Sequence, residues 1–450
     1  MLCSPVAKSK SGISSTISLV RFAKDHRYAF FPSVSAAWRI SEENFWQPLK
    51  GWWNDMKIRG SYGSLGNQVM DDLGNFPYLA TYGTNSSYNY LINGSKPVIV
   101  KAPGLVAPDF TWETVTQMDF GFDASFLNNR LTGTFDWYRR NTKDMLVAGA
   151  TLPATLGASV PKSNSADMKT IGWELSLGWN DRLENGFSYW VKGVLSDYQA
   201  TITKYAGNDA GFYSQSDDDG KYYVGQKIGE IWGYHSNGLF QSDDEAATID
   251  QSELYAGKWG AGDVKYEDLD NDGKITKGEE TIYNPGDKSI IGNKTPRYQF
   301  GITVGFDYKN FDFEMFWQGT GKRDYMLSGA QFWGFTSQWD VPYTPALDYW
   351  TEKNTDAYFP RPGWQNGGNR VTSDRYLQSA AYGRLKNLTV GYTIPKNLTT
   401  KWGISRLRLY VTGENLLTIT PLNDAFDPET LGGMTYPINR KVAIGLNLTL

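Results

Sequence analysis

The stretch YEDLDNDGKITKGEE, residues 266–280, sets carboxylates at a spacing that suits a hard cation. Asp268, Asp270 and Asp272 stand at positions 1, 3 and 5 of the calcium-loop pattern D-x-[DN]-x-[DN]-G-x5-E, with Gly273 at 6 and Glu279 at 12. Short carboxylates can converge on the ion, Gly273 permits the sharp turn, the Lys274 carbonyl and Thr276 can add oxygens, and Glu279 can close the site with both oxygens. The expectation is a Ca2+ site made by Asp268, Asp270, Asp272, Lys274, Thr276 and Glu279. An acidic turn that holds no metal is the alternative.

Such a loop is usually carried between two helices, and the flanks here do not supply them. GKWGAGDVK on one side and TIYNPGDKSIIGNKTPRYQF on the other are broken by Gly or Pro and show no apolar residues at helical spacing. Other candidate groups read as structural. SDDDG, residues 216–220, lacks a closing Glu and reads as a solvated loop, and His235 in WGYHSNG reads as a packing residue.

Composition narrows the function further. Cys3 stands alone, so no internal disulfide or Cys-based zinc site can form, and His26 and His235 offer little for a His-based triad. No pair of Asp or Glu stands out as flanking a sugar, so no enzyme activity is expected. A net charge of −4 without a basic patch argues against nucleic acid. The first residues, MLCSPVAKSKSGISSTISLV, lack the apolar core and cleavage site of a secretory signal.

The elements that must hold the acidic loop are β-strands. About eleven segments alternate apolar and polar residues at period two. Phe120, Phe122, Ala124 and Phe126 oppose Asp119, Asp123 and Ser125; Phe300, Ile302, Val304 and Phe306 oppose Gln299, Gly301, Thr303 and Gly305. The last strand sets Val442, Ile444, Leu446, Leu448 and Leu450 against Gly445, Asn447 and Thr449. Charges avoid the apolar face, as a lipid-facing wall requires, although a soluble sheet with one wet face shows the same alternation.

Loop lengths distinguish the two. Connections near 127–129, 181–186, 309–310 and 395–404 are short and that at 40–55 is intermediate, whereas those near 65–113, 141–169, 199–296, 321–382 and 416–439 are long. Short and long alternate, which puts the long ones at one end, as in an outer-membrane barrel with periplasmic turns and external loops. The acidic loop is then external. Trp38, Tyr62, Trp137, Tyr138, Trp317 and Tyr392 are expected in interfacial girdles, and the sequons at Asn387 and Asn447 fall within strands.

Several blocks carry a resemblance. RYAFFPSVSAAWRISEENF (28–45), MKIRGSYGSLGNQ (56–68), GEIWGYHSNGLFQS (229–242), GDVKYEDLDNDGKIT (262–276), GNKTPRYQFGITVGFDYKNFDFEMFWQG (292–319) and YGRLKNLTVGYTIP with LRLYVTGENLLTIT (382–420) resemble the C-terminal barrel region of the SusC/RagA family of TonB-dependent outer-membrane transporters. The resemblance implies an antiparallel transmembrane β-barrel of about 22 strands closed by an N-terminal plug. It also implies the outer membrane of a Gram-negative bacterium, and import of oligosaccharides or peptides with a SusD-like surface lipoprotein and TonB.

About eleven strands are half of such a barrel, with no plug or TonB-contacting segment among them. Residues 1–20 are set apart as atypical and 21–450 as the C-terminal part of the barrel. A half barrel leaves unpaired edges in lipid, so the chain is expected to be inactive without the N-terminal half and plug. The alternative function is a surface or secreted glycan-binding β-protein that stacks sugars on Trp232, Trp259, Trp333, Trp339 and Trp364.

Overall fold

A computed structural model describes the chain except residues 1–7, 19–21, 68–77, 86–90, 93, 97, 102, 108–109, 150–152, 154, 156, 158–159, 214–221 and 432–435. The stretch 216–220 therefore lies outside the described residues. One antiparallel sheet dominates. Its strands are β1 (Lys8–Ser18), β2 (Tyr28–Arg39), β3 (Trp53–Asn67), β4 (Glu113–Phe126), β5 (Leu131–Ala148), β6 (Lys162–Arg182), β7 (Ser188–Tyr205), β8 (Arg297–Tyr308), β9 (Phe311–Lys322), β10 (Tyr382–Thr393), β11 (Arg406–Ile419) and β12 (Lys441–Thr449). They lie side by side in chain order, each paired with its sequence neighbour.

Twelve strands are one more than the alternation counts. β1 falls inside the segment set apart as atypical, yet pairs with β2 from Lys8↔Trp38 to Ser18↔Tyr28. Its sequence, KSKSGISSTIS, has only two large apolar residues, so side-chain periodicity is silent while the backbone ladder forms.

Cross-strand register separates two faces, because directly opposed residues share a side of the sheet. Val304 faces Met315 and Val191, Phe306 faces Phe313, and Val390 faces Val411, which in turn faces Ile444. These side chains are not buried between layers: Ile302, Val390, Val411 and Ile444 are exposed, Ile444 at 83%. No second sheet packs on them among the described residues. The apolar face is a continuous wall, the arrangement a membrane barrel uses and a sandwich does not.

The opposite face is polar and knit by ion pairs. Arg59 of β3 reaches across β4 to Asp136 of β5 and contacts Asp119 and Asp123, and Arg408 of β11 clasps Asp312 of β9. No described helix is long and apolar enough to cross a membrane. Strands of 18, 21 and 18 residues at β5, β6 and β7 exceed the roughly 10 that cross the hydrocarbon, so they project beyond it.

This length corrects part of the girdle expectation. Trp38 and Tyr392 lie at the ends of their strands, beside the intermediate connection and a short one, but Trp137 and Trp317 lie mid-strand within the apolar wall. Tyr138 lies on the polar face, opposite Asp119 and Gly172. Asn387 and Asn447 are strand residues, as the sequence predicts.

Candidate external-loop site

The long connections build a folded unit of their own. Residues Glu230–Tyr234 pair with Lys288–Asn293, Ser236–Leu239 with Val264–Tyr266, and Asp324–Met326 with Leu377–Ser379. Between these short ladders lies a core of Tyr234, Val264, Tyr266, Ile275, Phe332, Phe359 and Tyr376, joined by Leu422 and Phe426 from the last long connection. Tyr266 is fully buried, and its hydroxyl donates to the Gly368 carbonyl at 2.6 Å, so its polar end is satisfied. Apolar residues that read as loop composition thus act as a second core, separate from the sheet.

The acidic loop hangs from this core by Tyr266 before it and Ile275 after it, both fully buried. Ile275 N–H donates to the Asp250 carbonyl at 2.7 Å, and Asp250 N–H donates to the Gly273 carbonyl at 3.0 Å. Within the loop, Asp268 accepts three backbone N–H groups: Asn271 at 2.6 Å, Asp272 at 3.2 Å and Gly273 at 2.7 Å. Asn271 and Gly273 take φ of 61° and 83°, the left-handed region that Asn and Gly tolerate. Helices are therefore unnecessary for the turn.

The carboxylates that gather differ from those the pattern names. Asp268, Asp270 and Asp287 bring ligand oxygens within 4.8 Å of one another. Asp272 turns to accept Lys274 N–H at 2.8 Å, and Glu279 stands outside this group, its N–H donated to the Asn284 carbonyl at 3.0 Å. In a helical calcium site the exiting helix swings position 12 back to the ion. Here Gly278 at φ 56° and Gly286 at φ 60° turn the chain through a tight reversal instead. The returning strand delivers Asp287.

Asp287 is almost fully buried and accepts Leu269 N–H at 2.8 Å and Thr276 N–H at 2.6 Å. Its own N–H donates to the Thr276 carbonyl at 3.1 Å, which leaves Thr276 bonded to Asp287 through its backbone. Asp287 was absent from the sequence-based set. The signal available for it was the NPGD turn, which sends the chain back toward the loop.

Charge is uneven in the cluster. Partial desolvation raises the Asp268 carboxyl, but hydrogen bonds from Gly273, Asn271 and Asp272 outweigh it and hold the group below the usual range. Asp270 moves the other way, pushed up by partial desolvation and by the like charges of Asp272, Asp287 and Asp268.

His235 packs between loops, as expected: Nδ1 lies 2.7 Å from Asp374 and Nε2 lies 2.7 Å from Ser289 Oγ. The tryptophans divide. Trp232 stacks on Tyr213 at 4.1 Å, Trp259 and Trp333 pack with the loop core, and Trp339 and Trp364 are exposed. Three of the five are occupied by internal packing.

Residues 8–416 match the family model for the TonB dependent receptor-like beta-barrel. TonB-dependent receptor P3 of Formosa agariphila is 30% identical over 95% of this chain and 42% of its own length. TonB-dependent receptor SusC of Bacteroides thetaiotaomicron is 27% identical over 95% of this chain and 41% of its own length. The chain thus spans about two-fifths of the length of these curated relatives. The RagAB peptide importer in its closed-closed state superposes with a TM-score of 0.77 at 22% identity, over 98% of this chain and 46% of that one. A meander with one apolar wall, a polar inner face and folded loops at one end is the corresponding fold. The chain belongs to the TonB-dependent receptor β-barrel family and is an outer-membrane protein of Gram-negative type.

Proposed function

We propose that this chain supplies wall and external loops to a TonB-dependent importer that passes oligosaccharides or peptides across the outer membrane without altering them. The observation that carries the reading is the division of labour in the sheet: an exposed apolar face outward, ion-paired polar side chains inward, and every long connection at one end. Named relatives are receptors or importers rather than enzymes, which supports transport without chemistry. A SusD-like lipoprotein above the loop unit and a plug that contacts TonB complete the proposed machine. The exposed Trp339 and Trp364 do not favour the soluble glycan-binding alternative, because a secreted protein would leave the apolar wall in water.

Membrane fractionation combined with a growth panel tests the proposal. The protein should partition with the outer membrane, need detergent for extraction, co-purify with a lipoprotein, and be required for growth on at least one oligosaccharide or peptide source. Extraction in plain buffer would overturn it.

The acidic loop belongs to the same reading as a metal staple. Ca2+ held by Asp268, Asp270 and Asp287 would relieve the repulsion that raises Asp270 and would tie residues 266–276 to the returning strand at Lys288–Asn293. Calcium-dependent protection of the loop from protease, lost in Asp287→Asn, is the test.

A further inference from the structure

Asp374, His235 and Ser289 come from three separate stretches of the loop unit and form one hydrogen-bonded chain. His235 Nδ1 is 2.7 Å from Asp374 Oδ2, and His235 Nε2 is 2.7 Å from Ser289 Oγ. Acid, imidazole and hydroxyl in this order form an activated nucleophile: the carboxylate holds the proton on Nδ1, which leaves Nε2 to accept the serine proton. Asp374 is fixed from behind. The second oxygen of Asp374 accepts Ser236 N–H at 3.0 Å, and Asp374 N–H donates to the Tyr234 carbonyl at 3.1 Å. Ser289 lies opposite Gly233 in the ladder and is half-buried, and the His235 and Asp374 side chains are 35% and 39% exposed.

We propose that Ser289 is an acylation site, a serine activated by His235 and positioned through it by Asp374, that takes one acyl group from an activated carboxylic ester. Ser289 Oγ attacks the carbonyl carbon, the Oγ–C bond forms, and the bond from that carbon to the leaving oxygen breaks. The serine proton passes to His235 Nε2 and then to the leaving alkoxide, which departs as the alcohol. The product is a neutral O-acyl serine with the imidazole returned to its starting form.

Rapid turnover is not expected. Tyr234 N–H is committed to the Thr372 carbonyl and Ser236 N–H to Asp374, so neither can act as an oxyanion donor. Such a donor is worth about 10²–10³ in rate for gaining and for losing the acyl group alike, so acylation takes an ester with a good leaving group, and the less reactive acyl-serine that results hydrolyses slowly. The proposal stands apart from the import reading.

The assembled outer-membrane protein in detergent is treated with a fluorophosphonate probe and, separately, with p-nitrophenyl acetate. Peptide mass spectrometry should find the probe on Ser289, and the ester should release one nitrophenolate per chain without a steady state. Ser289→Ala should abolish both. His235→Gln should slow labelling by about a hundredfold, the usual worth of a general base. Asp374→Asn should slow it and Asp374→Glu should recover part of the rate, a rescue that packing alone does not produce. Limited proteolysis of the loop unit establishes that each variant is folded. Labelling spread over many serines, or a Ser289 rate unchanged in folded His235→Gln, overturns the proposal.

Discussion

Arg384 of β10 donates to the Asp427 carboxylate at 2.6 Å and so pins the last long connection to the polar face of the sheet. Glu429 joins the same cation at 3.3 Å and also meets Lys386 at 3.1 Å, while Leu422 and Phe426 of that connection enter the loop core. Arg384 is only 2% exposed, and its removal leaves the partly buried Asp427 carboxylate without its cation and Glu429 with Lys386 alone. Arg384→Ala should destabilise the connection by about 3 kcal/mol, the cost of breaking a buried pair, and expose residues 420–431 to protease. Proteolysis at a rate equal to that of the parent protein would show the pair to be dispensable.

The two faces of one strand should respond oppositely to charge. Met315 lies on the apolar wall opposite Val304, and Gln318 lies on the polar face opposite Arg384. Met315→Arg should cost roughly 2–4 kcal/mol in a bilayer, while Gln318→Glu, a carboxylate set opposite Arg384, should be tolerated, as read by urea unfolding in lipid vesicles. Equal costs would argue against a lipid-facing wall.

The folded geometry and the sequence pattern name different ligands for the metal, and substitution separates them. Asp268→Asn and Asp287→Asn should abolish calcium-dependent protection of the loop, and Glu279→Gln should leave it intact. Loss with Glu279→Gln but not with Asp287→Asn would restore the linear pattern.

Without calcium, Asp268 and Asp270 act on the loop with opposite signs. Asp268 is held down in the fold, so its contribution is present above the ordinary carboxylate range and is lost as pH falls through the folded value. Asp270 is raised, so its repulsion weakens the loop at neutral pH and is relieved as pH falls through the folded value. Hydrogen exchange across residues 267–276 should therefore slow in Asp270→Asn and quicken in Asp268→Asn at neutral pH. The reverse order would contradict the assigned directions.

β1 and β12 each pair on one side only among the described residues. Open edges do not persist in hydrocarbon. The 450-residue chain expressed by itself should give no heat-modifiable barrel band, and co-expression with the remaining part of the barrel should restore one. A stable band from the chain alone would show that its edges close on each other or on a second copy.

Much of the wall was determined by sequence alone. Alternation at Phe300–Phe306 and the rhythm of short and long connections are local properties, because a strand exposes successive residues to opposite sides whatever surrounds it. β1 escaped that reading since its Ser and Lys residues carry no two-sided contrast, and only the ladder to β2 reveals it. Tertiary structure alone decided the loop site. Asp287 joins Asp268 through a chain reversal and His235 meets Ser289 and Asp374 across 54 and 139 residues, and no linear spacing encodes such meetings. They depend on where the buried aromatic core of the external loops draws each segment, a cooperative outcome of packing rather than of any single stretch of chain.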